Sequence, residues 1–292
     1  MGWRIIEINS DDYLKLYLNN LLIKRDDKKI IINLNDIDVL LLDNYKTILS
    51  VQLINALTRH NIIIIIFDVK HEPSSYIFNV KGNHKSLKVL ANQISWTQNY
   101  KNNLWKEIVK NKIYNQKQHI FHAVDYTMDL SFFDKLTEQV QNFDLSNREG
   151  HAAKVYWHLL FGINFIRDYD AKEFPIINSM LNYGYTILRG MVIKSIIKKG
   201  LDPRISLFHK SFTNFYALAS DLMEPFRIII DQEVYKNRNT EAFTIEIRNN
   251  LVKCLTKKVY FDHKYEYINN AIDKAIDQII NNKGWKWIYI WK

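Results

Sequence analysis

The period of the hydrophobic pattern changes once along this chain, near residue 85, and nothing else in the sequence restricts the fold as much. Before that point the apolar residues come in short runs: Trp3–Ile8, Leu14–Leu18, Leu21–Ile23, Lys29–Leu34, Val39–Leu42, Ile62–Phe67 and Tyr76–Val80. The runs are rich in β-branched or bulky residues and are punctuated by Asn and Asp, which is the signature of strands. One interruption, Ser50 to Asn61, reads as a helix, with a serine cap followed by Val51, Ile54, Leu57 and Thr58 on one face. Lys81-Gly82-Asn83 ends the last strand. Beyond it, Leu87, Leu90, Ala91 and Ile94, then Leu104, Ile108 and Ile113, suit helices. Strands first and helices afterwards make an α+β chain, not an alternating one. The expected division is a β-rich domain over residues 1–84 and a larger helical domain over 85–292.

A length of 292 residues fits two domains at roughly 100–200 residues each. A second helical pattern, Ile268 to Ile280, precedes an alternating aromatic tail, Trp285 to Lys292. That tail resembles a strand and needs a partner edge, in this chain or in another protein.

The charge balance is uneven. Lys+Arg exceed Asp+Glu by 40 to 31, and residues 1–90 hold only 12 of the basic and 10 of the acidic groups. Most of the positive field therefore belongs to the helical part, and it selects polyanions as partners. A membrane is the weaker option, because the longest apolar run, Ile62 to Phe67, is far below the roughly 20 residues of a span. The N-terminus shows neither a signal-peptide core nor a myristoylation motif. Cys254 is the single cysteine, which excludes an internal disulfide and a cysteine-type zinc site and fits a cytoplasmic location. No P-loop, H-E-x-x-H, C-x-x-C or G-x-S-x-G motif occurs.

Candidate chemistry lies in three segments of the helical part. Ser146 to Ala153 carries Glu149, Leu207 to Lys210 carries His209, and Asp221-Leu222-Met223-Glu224-Pro225 carries two carboxylates. Hard oxygen donors with one imidazole suit Mg²⁺ or Mn²⁺ better than a structural zinc. Each residue also has a structural reading. Ser146-x-x-Glu149 is a capping-box pattern. Asp221 and Glu224, at i and i+3, also fit an exposed acidic helix end, and Pro225 is expected to end or kink that helix. His209 alone also fits an ordinary solvated histidine. For backbone phosphates, Arg189, Lys194, Lys198, Lys199 and Arg204 form one basic cluster, and Lys106, Lys110 and Lys117 share a helix face. Arg148 and Arg227 flank the acidic residues directly.

Four blocks, in order, resemble the signature blocks of the CRISPR-associated integrases, the Cas-one family. They are Asn147-Arg148-Glu149-Gly150-His151-Ala152-Ala153, Leu181-Asn182-Tyr183-Gly184-Tyr185-Thr186-Ile187-Leu188, Phe208-His209-Lys210, and Leu218 to Arg227. The opening Gly2-Trp3-Arg4 and the spelling of residues 146–153 resemble the type II branch in particular. The resemblance implies an N-terminal β-sandwich that mediates homodimerisation and an all-α catalytic domain. It implies a metal site of Glu149, His209 and Glu224, with Asp221 as an adjacent auxiliary carboxylate. Glu224 stands where some relatives carry aspartate, and its longer side chain alters the reach to the metal.

The implied partners are double-stranded DNA and a small protein, Cas-two, which bridges two integrase dimers into a heterohexamer. The implied reaction is attack by the 3′-hydroxyl of a DNA fragment on a phosphodiester at a CRISPR repeat. Two rivals use the same residues differently: a metal-dependent endonuclease, and a basic DNA-binding scaffold whose acidic groups are caps and helix ends.

Overall fold

An unbroken apolar run in a strand requires cover on both faces, whereas an alternating run requires it on one. Val39–Leu42 and Ile62–Phe67 are unbroken, and in the computed structural model they lie in the two central strands of a mixed sheet. The structure describes residues 2–79, 86–124, 127–209 and 214–291. The expected Lys81-Gly82-Asn83 turn, Val80 and Lys210 lie outside these. Internal packing divides the chain into two compact units, Met1–Asn83 and His84–Lys292.

The first unit holds β1 (Arg4–Ile8), β2 (Tyr13–Tyr17), β3 (Asn20–Arg25), β4 (Lys28–Asn33), β5 (Ile37–Leu42), β6 (Ile48–Leu49), α1 (Val51–Arg59), β7 (Ile63–Phe67) and β8 (Pro73–Ile77). Two four-stranded sheets result, ordered β1-β5-β7-β8 and β4-β3-β2-β6. Strands β1, β5 and β7 run parallel, β8 closes that sheet antiparallel, and β2, β3 and β4 form an antiparallel meander. One core joins Ile8, Leu40 and Ile64 from the first sheet, Leu14, Leu21 and Ile23 from the second, and Leu53 and Leu57 from α1.

The Ser50 cap forms as expected, its hydroxyl accepting from the Leu53 amide. The inward face of α1 is a correction. Leu53 and Leu57 are buried, while Val51, the first apolar residue of the helix, is exposed.

The second unit holds α2 (Ser86–Ile94), α3 (Gln98–Ala123), α4 (Ser131–Gln139), α5 (Arg148–Phe161), α6 (Pro175–Lys199), α7 (Ala217–Leu222), α8 (Ile228–Lys236), α9 (Ile245–Cys254), β9 (Lys258–Phe261), β10 (Lys264–Tyr267), α10 (Ile268–Ile280) and β11 (Ile288–Tyr289). It is predominantly helical but not all-α: β10-β9-β11 is a three-stranded sheet. The aromatic tail finds its partner edge inside the chain, because β11 pairs antiparallel with β9. Helix α2 departs from its pattern, with Leu87 and Ile94 exposed and Gln93 buried, bonded to the backbone of Asp202 and Ile205. Among the described residues no helix is long and apolar enough to cross a membrane.

The long helix α3 packs against α4, α5 and α8, and α6 against α7, α8, α9 and α10. Gly184 allows the close approach of α6 to α8, since a Cβ there would meet the Ile230 side chain at 2.5 Å. Along α3, Asn111, Lys112, Asn115, Gln116 and His119 are buried with Leu104, Trp105 and Ile108. Buried polar groups persist only where they are partnered, and this stripe leads directly to the candidate site.

Candidate active site

Glu149 stands in the first turn of α5, and the amides of that turn are capped by other residues. Asn147, with φ 49°, accepts from the Gly150 amide at 3.2 Å. Buried Asp144 accepts from the Arg148 and Glu149 amides at 2.8 and 2.9 Å. The start of the helix is thereby satisfied, and Ser146 and Glu149 do not form its cap. The Glu149 carboxylate instead meets Lys112 Nζ at 2.5 Å.

Glu224 follows from Pro225. Helix α7 stops at Leu222, and a single 3-10 turn, Glu224–Phe226, leads into α8. This is the break expected before a proline. The Glu224 side chain is buried, with Oε1 2.9 Å from Arg227 Nη2 and Oε2 2.6 Å from Lys112 Nζ. Beyond this ionic contact the second oxygen has no further hydrogen-bond partner. One ammonium thus stands where two carboxylates converge. Burial pushes the Glu224 carboxyl upward, but Arg227 and Lys112 outweigh it and hold the pKa below the usual carboxylate value. Burial likewise opposes the Lys112 charge, and Glu149 with Glu224 overrides it, raising the pKa above that of an ordinary lysine.

His209 is held by Asp221, which is fully buried. Its Oδ2 accepts the Leu207 and Phe208 amides at 2.7 and 3.0 Å, and Oδ1 accepts the His209 amide at 3.3 Å and meets Nδ1 at 2.5 Å. Trp105 stacks on Phe208 and meets the His209 ring edge-on, fixing the loop from behind. A carboxylate on Nδ1 leaves Nε2 as the nitrogen available to a ligand. The bond to Asp221 raises the imidazole pKa above its ordinary value against the opposing effect of burial. Asp221 therefore positions His209; its own oxygens are occupied.

Glu149, His209, Glu224 and Arg227 line one pocket of about 410 Å³. Lys112, Lys154, Arg167, Asp231 and the rings of Trp157, Phe165, Tyr169 and Tyr185 also contribute to its wall. Arg227 lies over the Tyr185 ring at 4.6 Å, and Arg167 over Tyr169 at 4.6 Å.

The other candidate cations go elsewhere. Arg148 lines a separate, shallower groove with Lys106. Lys198 pairs with Asp273, Lys199 with Asp277 and Arg204 with Asp202, at 2.8, 2.5 and 2.5 Å. Arg189 and Lys194 line neither cavity. The expected cluster is thus largely neutralised within the chain. Of the positive residues at the pocket, Arg227 was singled out by the sequence, whereas Lys112, Lys154 and Arg167 were not. For Lys112 a signal exists: it lies i+4 from Ile108 and i+7 from Trp105, on the buried stripe of α3.

Among the described residues no three His, Cys, Asp or Glu side chains are already gathered as a donor set for a metal. The residues nevertheless fit a divalent ion. The Lys112 ammonium marks a point that two carboxylates assign to a cation, and the buried Glu224 oxygen there has no partner besides that ammonium. The donors, two carboxylates and an imidazole, suit Mg²⁺ or Mn²⁺.

Comparison with known proteins agrees in sequence and in fold. A protein of Neisseria meningitidis serogroup C (strain 8013), named CRISPR-associated endonuclease Cas1, is 31% identical over 282 residues, covering 94% of this chain and 90% of the relative. A casposase bound to its integration product superposes with a TM-score of 0.72 at 18% identity, over 97% of this chain and 91% of that one. A chain from a partial Cas6-RT-Cas1–Cas2 complex does so with a TM-score of 0.65 at 19% identity, over 100% and 99%. At those identities the structures establish the fold alone. Residues 7–260 match the family model described as CRISPR associated protein Cas1, and the chain belongs to that family.

Proposed function

We propose that this protein is a metal-dependent DNA integrase of CRISPR adaptation. It would join the 3′-hydroxyl ends of a captured DNA fragment to phosphodiesters at a CRISPR repeat by transesterification. The observation that carries this reading is the convergence of Glu149 and Glu224 on one cationic point, beside an Asp221-oriented His209, in a pocket walled by arginine and lysine. The relatives' names support it: one is a Cas1 endonuclease, and a casposase of the same fold was caught with an integration product.

Glu149, Glu224 and the free nitrogen of His209 would hold Mg²⁺ or Mn²⁺. Such an ion would supply Lewis-acid stabilisation of the attacking oxygen and of the charge that builds on the phosphoryl group. The chain's own groups do the rest. Asp221 fixes the His209 ring and its tautomer. Arg227, anchored by Glu224 and laid over Tyr185, presents fixed positive charge to a phosphate in the pocket. Lys154 and Arg167 add charge along the same wall, and Trp157 and Tyr169 offer faces on which an unpaired base can stack. One phosphodiester replaces another, so no nucleotide hydrolysis is required.

The proposed partners are double-stranded DNA, a second copy of this chain, and Cas2, which is present in the complex containing a matched chain. In the dimer the first unit would supply the contact. Strand β4 is an edge of its sheet, with Ile30 and Ile31 both exposed, and such an edge invites pairing.

A second reading, a plain endonuclease with water as nucleophile, has the name of the Neisseria relative in its favour. Labelled DNA with 3′-hydroxyl or 3′-deoxy ends, a repeat-bearing plasmid, Mn²⁺ and Cas2 separate the two. Joined molecules formed only from the 3′-hydroxyl substrate support the integrase; cut plasmid regardless of the 3′ end supports the nuclease.

A further inference from the structure

Lys112 is the one cation, among the described residues, in contact with both candidate ligand carboxylates. Its Nζ lies 2.5 Å from Glu149 Oε1 and 2.6 Å from Glu224 Oε2, on a side chain only 11% exposed. The two acids come from different elements, α5 and the turn after α7, and the lysine from a third, α3. Without a positive charge between them, two carboxylates this close in a buried site repel strongly. Glu224 has a second counter-charge in Arg227 at 2.9 Å, whereas the only ionic partner of Glu149 among the described residues is Lys112.

We propose that Lys112 is a tethered counter-cation of the metal site, competing with the divalent ion for the space between Glu149 and Glu224. Resting on the metal-dependent reading above, this adds a positioning role for a residue outside the donor set. The lysine holds the two acids convergent, so the ligand pair is organised before an ion arrives. A divalent ion held by Glu149 and Glu224 would take the space the ammonium now fills between them. Lys112 must then release both carboxylates. Its unbranched stem lets the charge swing within the pocket, where it stays available to a phosphate oxygen. The affinity of the site for metal is thereby set lower than its carboxylates alone would make it.

The test is Mn²⁺ binding to the full-length protein, followed by the electron paramagnetic resonance of free Mn²⁺. Four proteins are compared: wild type, Lys112→Met, Glu149→Gln, and Lys253→Met as an exposed-charge control on α9. Lys112→Met keeps an unbranched stem, one atom shorter, and removes the charge. The expected result is Mn²⁺ binding about tenfold or more tighter in Lys112→Met, weaker in Glu149→Gln, and unchanged in Lys253→Met. Lower thermal stability without metal, and a larger gain on adding Mn²⁺, should accompany the tighter binding in Lys112→Met.

Mn²⁺ binding that depends on Glu149 but is equal or weaker in Lys112→Met overturns the inference and leaves the metal reading intact. Wild-type binding indifferent to Glu149 overturns both. Should Lys112→Met fail to fold, ¹⁵N-lysine resonances of the wild type decide the matter, with Lys112→Arg used for assignment. A shift of the Lys112 ammonium signal on Mg²⁺ titration is expected, and an unmoved signal at saturating Mg²⁺ refutes the displacement.

Discussion

Asp221 illustrates how one buried carboxylate organises this site without facing it. It gathers three backbone amides and the His209 ring, so its replacement disturbs the imidazole before anything else. Asp221→Asn is expected to weaken Mn²⁺ affinity by about 10–100-fold, the usual cost of losing a partner behind a metal-ligating histidine. Isothermal calorimetry reads this, and unchanged affinity would detach His209 from the metal. Asp231 behaves differently. Burial lifts its pKa to about 6, although the Tyr185 and Tyr156 hydroxyls, which both donate to it, and Arg227 pull it down. With a folded pKa above the ordinary 3.8, its neutral form is the better tolerated one. That contribution to stability is complete below about pH 3.8 and is lost as pH rises through about 6. A rise of that size corresponds to about 3 kcal/mol. Denaturant melts at pH 4 and pH 7 should show wild type losing about that much relative to Asp231→Asn. A pH-independent difference would mean that the acid is ionised throughout.

At the scale of elements, α3 joins the tail to the turn that carries Glu224. Asn115 Nδ2 donates to Pro225 O at 3.1 Å and to Ile288 O at 2.9 Å, and Asn111 takes and gives hydrogen bonds at Ile288 as well. Asn115→Ala leaves Ile288 O with its Asn111 donor but takes the side-chain donor from the Pro225 carbonyl, at about 1–3 kcal/mol for a buried carbonyl left unsatisfied. It should lower the melting temperature and slow DNA joining by loosening the turn that carries Glu224. A variant that melts lower yet joins at the wild-type rate would confine Asn115 to structure.

Much of this architecture was legible in the sequence. The unbroken runs of β5 and β7, the Ser50 cap, the break at Pro225 and the span Ile268–Ile280 follow from local pattern, because burial and proline act locally. Three of the four blocks carried Glu149, His209, Asp221 and Glu224, and three of these residues line one pocket with the fourth behind it. What stayed hidden depends on partners distant in sequence. A lysine on α3 reads as solvated until Glu149 and Glu224 close over it, and Lys198 reads as a free cation until Asp273 reaches it from α10. The strands β9 and β10 were missed because Lys258, Lys264 and Glu266 interrupt their apolar residues and β10 buries none of its side chains.

For the molecule as a whole, the first unit is assigned the dimer and the second the chemistry, so each should fail independently. Ile31→Lys on the β4 edge should shift the protein from dimer to monomer in light scattering while leaving Mn²⁺ affinity unchanged; an intact dimer would move the interface elsewhere. The integrase reaction itself is read by covalent joining of labelled 3′-hydroxyl DNA to a repeat-bearing plasmid, with Cas2 and Mn²⁺ or Mg²⁺. Wild type and Glu149→Ala are compared after both are shown to be folded. Joined product should require the divalent ion and disappear in Glu149→Ala. Joining that persists without Glu149, or without any divalent ion, would contradict a metal-dependent integrase built on this pocket.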